Sequence, residues 1–154
     1  MNPVYLIVRF LGCSAVAGML GALVLAVVIR LIARANWARG DMVVAVGSLL
    51  TRSRESARLV GGILHLLSGV GFAMIYTVAM MALNLTRFPA AAYAGIGFGV
   101  FHGLVVGLTL CWIVADQHPL DEFKEAGLAV GVSHLAGHVA YGLVVGVVIG
   151  FSGL

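Results

Sequence analysis

The stretch Tyr93–Leu110, YAGIGFGVFHGLVVGLTL, has no charged residue and carries a glycine at every fourth position, at 95, 99, 103 and 107. A helix of this length, rising about 1.5 Å per residue, covers most of the roughly 30 Å hydrocarbon core of a bilayer. Small residues at this interval let two helix backbones approach closely in lipid, where packing drives association. The stretch therefore predicts a membrane-spanning helix with a close helical partner.

The whole chain has a matching composition. Of its 154 residues, 62% are hydrophobic and only 10% are charged, and its mean hydropathy is +1.11. A soluble domain of this size needs far more polar surface, so we predict an integral membrane protein. Four apolar stretches, approximately 4–32, 59–85, 90–115 and 126–151, are long enough to span. We expect one all-α membrane domain over residues 1–154, a four-transmembrane-helix bundle.

The charges predict the orientation of this bundle. Six of the nine basic residues flank or occupy the first loop, namely Arg30, Arg34, Arg39, Arg52, Arg54 and Arg58. The positive-inside rule places that loop in the cytoplasm and both termini outside. We therefore expect a multi-pass protein of the bacterial inner membrane, with the lipid bilayer as its surroundings. The net charge of +3 reflects this anchoring and does not indicate nucleic-acid binding.

The first loop contains a short amphipathic segment at approximately 41–51. Asp41 is a plausible N-cap, and one side of the following helix carries apolar residues, namely Met42, Val43, Val46, Leu49 and Leu50. The segment is too short to span, so we expect an interfacial helix at the cytoplasmic membrane surface. A docking surface for a partner is the alternative.

Glycine-rich helix faces suggest the kind of partner that the protein has. The ladder in the third span has a counterpart in the fourth, at Gly142, Gly146 and Gly150. Such faces support close contacts within one chain, in a homo-oligomer, or with subunits of a larger membrane complex. The spacing does not distinguish these three cases.

Histidines are the most informative polar residues. Four of the five lie within predicted spans, at His65, His102, His134 and His138. Ionisable residues inside a membrane are costly and indicate function by default. Counting about 1.5 Å per residue from the span ends predicts a shallower pair, His65 with His134, and a deeper pair, His102 with His138. Helical spacing adds two polar neighbours, which are Thr109 and Tyr141.

Several chemistries can use such a group. Neutral imidazole is a common ligand of transition-metal ions, so we predict that these four histidines bind one, of unspecified identity. Haem b held axially by two histidines, as in an electron-transfer subunit, is an alternative. A proton relay and simple hydrogen bonding between the helices of an accessory subunit are the others. No nucleophile motif, phosphate-binding loop or HExxH sequence is present, so we predict that the protein is not an enzyme.

A secondary site is conceivable where the third span ends. Asp116 and His118 lie there, just before Pro119. Together they could collect a divalent cation at the mouth of a path to the buried histidines. A solvated turn with no ligand is the interpretation that we prefer.

Several short motifs resemble those of a group of small uncharacterised bacterial four-helix integral membrane proteins. They are Asp41-Met42 before the amphipathic segment, His65 with Tyr76 eleven residues later, FHG at 101–103, His118-Pro119, and HVAYG at 138–142. The resemblance implies the same four-helix topology. It brings no known activity, ligand or site residue.

Overall fold

The structure is a computed structural model that describes residues 2–38, 41–125 and 127–154. Its helices are α1 (Pro3–Arg34), α2 (Met42–Thr51), α3 (Ala57–Ala82), α4 (Ala90–Gln117) and α5 (Leu128–Ser152). A π-helical turn, Leu110–Val114, interrupts α4, and a 3-10 turn, Asp121–Phe123, precedes α5. The described residues contain no strand, so the predicted all-α class is confirmed.

Four of these helices, α1, α3, α4 and α5, are long and apolar enough to cross a membrane. Their number agrees with the sequence prediction, but the bounds differ. Helix α3, the second predicted span, covers 57–82 rather than 59–85, and α4, the third, continues to Gln117 instead of ending at 115. The predicted start of the fourth span, at 126, lies outside the described residues.

The long helices form a bundle that is open on one side. Helix α4 packs on α5, α5 on α1, and α1 on α3, whereas the backbones of α3 and α4 stay apart and these two helices meet through aromatic side chains, with the ring centroids of Phe72 and His102 4.0 Å apart. The loop between α3 and α4 meets the end of α5, because the Phe88 N–H donates to the Gly150 carbonyl (3.2 Å). Nearby, the Thr86 hydroxyl donates to the carbonyl of Leu154 (2.7 Å). The described residues of the other two connections, from α1 to α3 and from α4 to α5, lie at the opposite end, where Arg54 forms an ion pair with Glu122.

Glycines set the spacing between α4 and α5. A Cβ added at Gly95 would strike the carbonyl oxygen of Gly142, and one added at Gly142 would strike that of Gly95. A Cβ at Gly103 would lie 2.9 Å from the Leu135 Cα. These two helices are therefore as close as their backbones allow. Gly97, on another face of α4, has open space around it.

Helix α2 packs against α3. Asp41 caps it by accepting from the N–H groups of Val43 (3.1 Å) and Val44 (3.2 Å). Its closest approach joins Gly47 to Gly61, where each glycine faces the other's backbone. Small residues permit a backbone contact that the larger apolar side chains of α2 would prevent. Leu50, on the apolar side predicted for this helix, is 67% exposed, and the interfacial location stays a prediction.

Candidate functional site

A cavity of about 210 Å³, here called the histidine cleft, lies between α3 and α4 where those helices separate. All four histidines of the predicted spans line it, as does Tyr141. The rest of its lining is mainly apolar, with Phe72 and Val106 on its two flanking helices. The cleft therefore combines apolar walls with imidazole groups, the usual make-up of a ligand pocket.

His102 and His138 are in direct contact across this cleft. Their ring centroids are 4.5 Å apart, at an interplanar angle of 65°. Nδ1 of His138 lies 2.7 Å from the carbonyl oxygen of His134, so it carries the proton and donates. Nδ1 of His102 lies 3.2 Å from the hydroxyl oxygen of Tyr76. The predicted deeper pair is therefore in contact, with the Nδ1 atom of each ring already hydrogen-bonded.

Tyr76 belongs to this site, although the sequence reasoning did not place it there. Its ring packs edge-on against both Tyr141 (centroids 5.7 Å apart) and Phe98 (5.3 Å), and its hydroxyl oxygen is the partner of the His102 Nδ1. The sequence contained a signal for it. Tyr76 follows His65 by eleven residues, three turns along the same side of a helix.

His134 differs from its neighbours because it lacks a hydrogen bond. The residue is only 4% exposed, and its Nδ1 is buried with no partner among the described residues. Its ring centroid is 6.2 Å from that of His138. A buried polar atom without a partner costs about 1–3 kcal/mol and calls for an explanation.

His65 turns towards a different helix. Its Nε2–H donates to the Ala22 carbonyl of α1 (2.9 Å). The predicted pairing of His65 with His134 therefore does not describe its main contact. Counting residues gives the height of a side chain in the membrane but not its direction, and α3 packs on α1.

The two predicted polar neighbours have different outcomes. Tyr141 is 2% exposed, and its hydroxyl donates to the Gly69 carbonyl of α3 (2.6 Å). Thr109 is exposed, and its hydroxyl donates to Val105 of its own helix (2.8 Å). The placement of Thr109 in a polar core is thus wrong. A threonine that bonds a carbonyl one turn back needs no polar partner on another helix.

A second cavity, here called the loop-side cavity, has a volume of about 370 Å³. It lies among α1, α2, the end of α4 and the start of α5, and its polar lining residues are His118, Glu122, Glu125, Ser133 and His134. Glu122 forms an ion pair with Arg54 of the first loop. The cavity is therefore close to the charged loops, whereas the histidine cleft lies deeper.

His118 is a structural residue of this end of the molecule. It is 2% exposed; its Nε2–H donates to the Ala45 carbonyl of α2 (3.1 Å), and its Nδ1 accepts from the N–H of Leu120 (3.1 Å). Asp116 is exposed, so the two residues do not share a cation site. Further along the loop, the hydrogen bond from Lys124 to Asp121 (2.7 Å) lowers the pKa of the Asp121 carboxyl.

Replacing His118 by alanine should loosen the loop without unfolding the helices. The Ala45 carbonyl would lose this donor, although it keeps the Ser48 hydroxyl, and the Leu120 N–H would lose its acceptor; each lost bond costs about 0.5–1.5 kcal/mol. We expect amide hydrogen exchange to quicken at least tenfold in 118–125 and in α2, and to stay unchanged in α5. Asp116→Asn is the matched control and should leave exchange unaltered. Unchanged protection in His118→Ala would contradict the structural role.

The donor atoms and rings also limit the possible ligands. Among the residues that the structure describes, no group of three or more His, Cys, Asp or Glu side chains is arranged to hold a metal ion. Haem between His102 and His138 does not fit, because their rings already touch and leave no room for a macrocycle between them.

The chain matches no protein-family model, and comparison with curated proteins and with solved structures also gives no match. Its function is therefore inferred from its own side chains.

Proposed function

We propose that this chain is a non-enzymatic integral membrane protein that binds a transition-metal ion through His102, His134 and His138. The observation that carries the proposal is the buried Nδ1 of His134, which has no partner among the described residues and lies beside a contacting pair of imidazoles. An ion bound there would offset the cost of leaving this nitrogen unpaired. Neutral imidazole suits zinc, copper, nickel and iron.

The hydrogen bonds of His102 and His138 support this assignment. A metal-binding histidine typically uses its other ring nitrogen to bond a carbonyl or another polar group, which fixes the tautomer and the ring orientation. His138 makes such a bond to the His134 carbonyl, and His102 to the Tyr76 hydroxyl. The Nε2 atoms of both rings are thereby left as the metal-binding atoms.

The spacing of the rings is compatible with one ion. Two imidazoles on a tetrahedral zinc, with Zn–N of about 2.0–2.1 Å, have centroids roughly 5 Å apart. The observed separations, 4.5 Å for His102 with His138 and 6.2 Å for His134 with His138, bracket that value. The nitrogens do not yet converge, so binding requires the rings to rotate about their side-chain torsions. His65 is left out because its Nε2 bonds Ala22.

We also propose that the protein lies in the bacterial inner membrane, with the arginine-rich loop in the cytoplasm and both termini outside. The supporting observation is that this loop and the two termini lie at opposite ends of the bundle. Arg54 and Arg58 bond acidic residues at the loop end, and both termini lie at the other end. Labelling of intact cells from outside should therefore reach a cysteine placed at Asn2 but not one placed at Ser53.

Elemental analysis of the purified protein, before and after loading with Zn²⁺, tests the function. We expect close to one ion per chain. Tyr76→Phe removes the partner of His102 and should weaken affinity roughly 10–100-fold. Tyr93→Phe, at a side chain that is 72% exposed, is the control and should bind as wild type does. Metal far below one ion per chain after loading would overturn the proposal.

A second candidate function is a structural subunit of a larger membrane complex, with histidines serving only as hydrogen-bonding residues. The observation that favours it is that His65, His118 and Tyr141 each bond a carbonyl on another helix. Consistent co-purification with fixed partners, in the absence of stoichiometric metal, would support this function. A strong absorption band near the blue edge of the visible would instead indicate haem b.

A further inference from the structure

The loop-side cavity and the histidine cleft share part of their lining. Four residues border both cavities: Met42 and Val46 of α2, Leu110 of α4, and His134 of α5. We call these four residues the shared wall. Three of them are apolar, and the fourth is the buried histidine whose Nδ1 has no partner among the described residues. The two cavities are therefore neighbours, separated by a single layer of side chains.

The residues that line the two cavities indicate which of them a cation can enter. A cation that entered the cleft from lipid, between α3 and α4, would pass apolar side chains such as Leu64 and Phe72. These side chains have no polar atoms to replace the water molecules bound to the cation. The loop-side cavity instead carries the carboxylates of Glu122 and Glu125. Negative charge in a low-dielectric cleft concentrates cations and raises their association rate. Because Glu122 is paired with Arg54, Glu125 is the carboxylate expected to matter most.

The backbone of the shared wall has an unusual conformation on one side. The π-helical turn of α4 begins at Leu110 and ends at Val114, and both residues line the loop-side cavity. Such turns are rare, and they frequently occur at functional sites. Here the turn lies between the glycine-packed part of α4 and the loop, where it positions Leu110 against both cavities.

We propose that the loop-side cavity is the entrance through which a divalent transition-metal cation reaches the histidine cleft, passing the shared wall at His134. The proposal rests on the metal-binding function proposed above. His134 is the first imidazole on this route, since it lines both cavities, and His138 and His102 follow it in the cleft.

The test measures how fast Zn²⁺ loads onto the metal-free protein in detergent, with a zinc-responsive dye as competitor. Val130 lines only the loop-side cavity, whereas Val105, on the exposed side of α4, lines neither cavity. Val130→Trp should slow loading while leaving the final stoichiometry unchanged, and Val105→Trp should not slow it. Glu125→Gln should lower the loading rate roughly tenfold at low salt, whereas Glu55→Gln, on the first loop, should not.

A bulky group attached to the folded protein tests the same entrance in case the tryptophan variants misfold. Val130→Cys is expected to load at the wild-type rate until a bulky maleimide is attached, and slowly afterwards. Wild type treated with the same reagent controls for Cys13 and Cys111. Loading at the wild-type rate in Val130→Trp and in the maleimide-blocked Val130→Cys, with one Zn²⁺ bound at equilibrium, would overturn this inference while leaving the metal site intact. If no variant or wild-type protein binds Zn²⁺ at equilibrium, the proposed function itself fails.

Discussion

Replacing His102 and His138 together by glutamine is expected to abolish metal binding by the histidine cleft. Glutamine has a similar length and keeps a polar amide for the neighbouring hydrogen bonds, but it removes two of the three proposed ligands. Loss of a supporting partner alone costs 10–100-fold in affinity, so loss of two ligands should cost well over 100-fold. The measurement is the zinc content per chain, with the dissociation constant from competition with a chelator.

His65→Gln is the matched control for this experiment. It changes the same residue type in the same cleft, but at a ring whose Nε2 bonds Ala22. Zinc content should therefore stay near one ion per chain. Equal zinc contents in the double variant and in wild type, with the fold intact, would contradict the assignment of His102 and His138 as metal ligands. A loss of zinc in His65→Gln would return that residue to the set of ligands.

Gly95→Ala is expected to destabilise the protein more than any other single methyl group added to α4. The new Cβ would meet the Gly142 carbonyl oxygen, a backbone atom that cannot turn aside. Helices α4 and α5 would have to separate, and overpacking of this kind costs about 1–3 kcal/mol, occasionally more. The free energy of unfolding, from titration with a denaturing detergent in mixed micelles, gives the value directly.

Gly97→Ala controls for the effect of a glycine-to-alanine change on the stability of helix α4 alone. Its Cβ would meet nothing within 4 Å, and alanine favours a helix over glycine by about 0.8–1 kcal/mol. We expect this variant to be as stable as wild type or more so, and Gly142→Ala to resemble Gly95→Ala. If Gly95→Ala and Gly97→Ala had equal stability, the close contact of α4 with α5 would be wrong.

The sequence predicted the number and type of the long helices because uninterrupted apolar length is a strong local signal. Which helices are neighbours could not be predicted in the same way. The gap between α3 and α4, in which the histidine cleft lies, depends on how α5 packs against α4 and α1. No local sequence pattern predicts that packing.

Contacts of single residues were harder to predict. Thr109 was placed by helical spacing, but a hydroxyl that bonds its own helix can face outward. For α2, the sequence predicted the Asp41 cap, whereas the contact of Gly47 with Gly61 of α3 was not predicted. In both cases the contact depends on the neighbouring helix, which the local sequence does not specify.

The order of the helix contacts has a consequence for how the protein is made. Chains are synthesised from the N-terminus, so α1 and α3, which pack together, are both available before α4 emerges. Helix α4 then meets α3 only through aromatic side chains such as those of Phe98 and His102, and its glycine face stays without a partner until α5 follows. Because α5 contacts both α4 and α1, these four helices can assemble fully only after α5 has been synthesised.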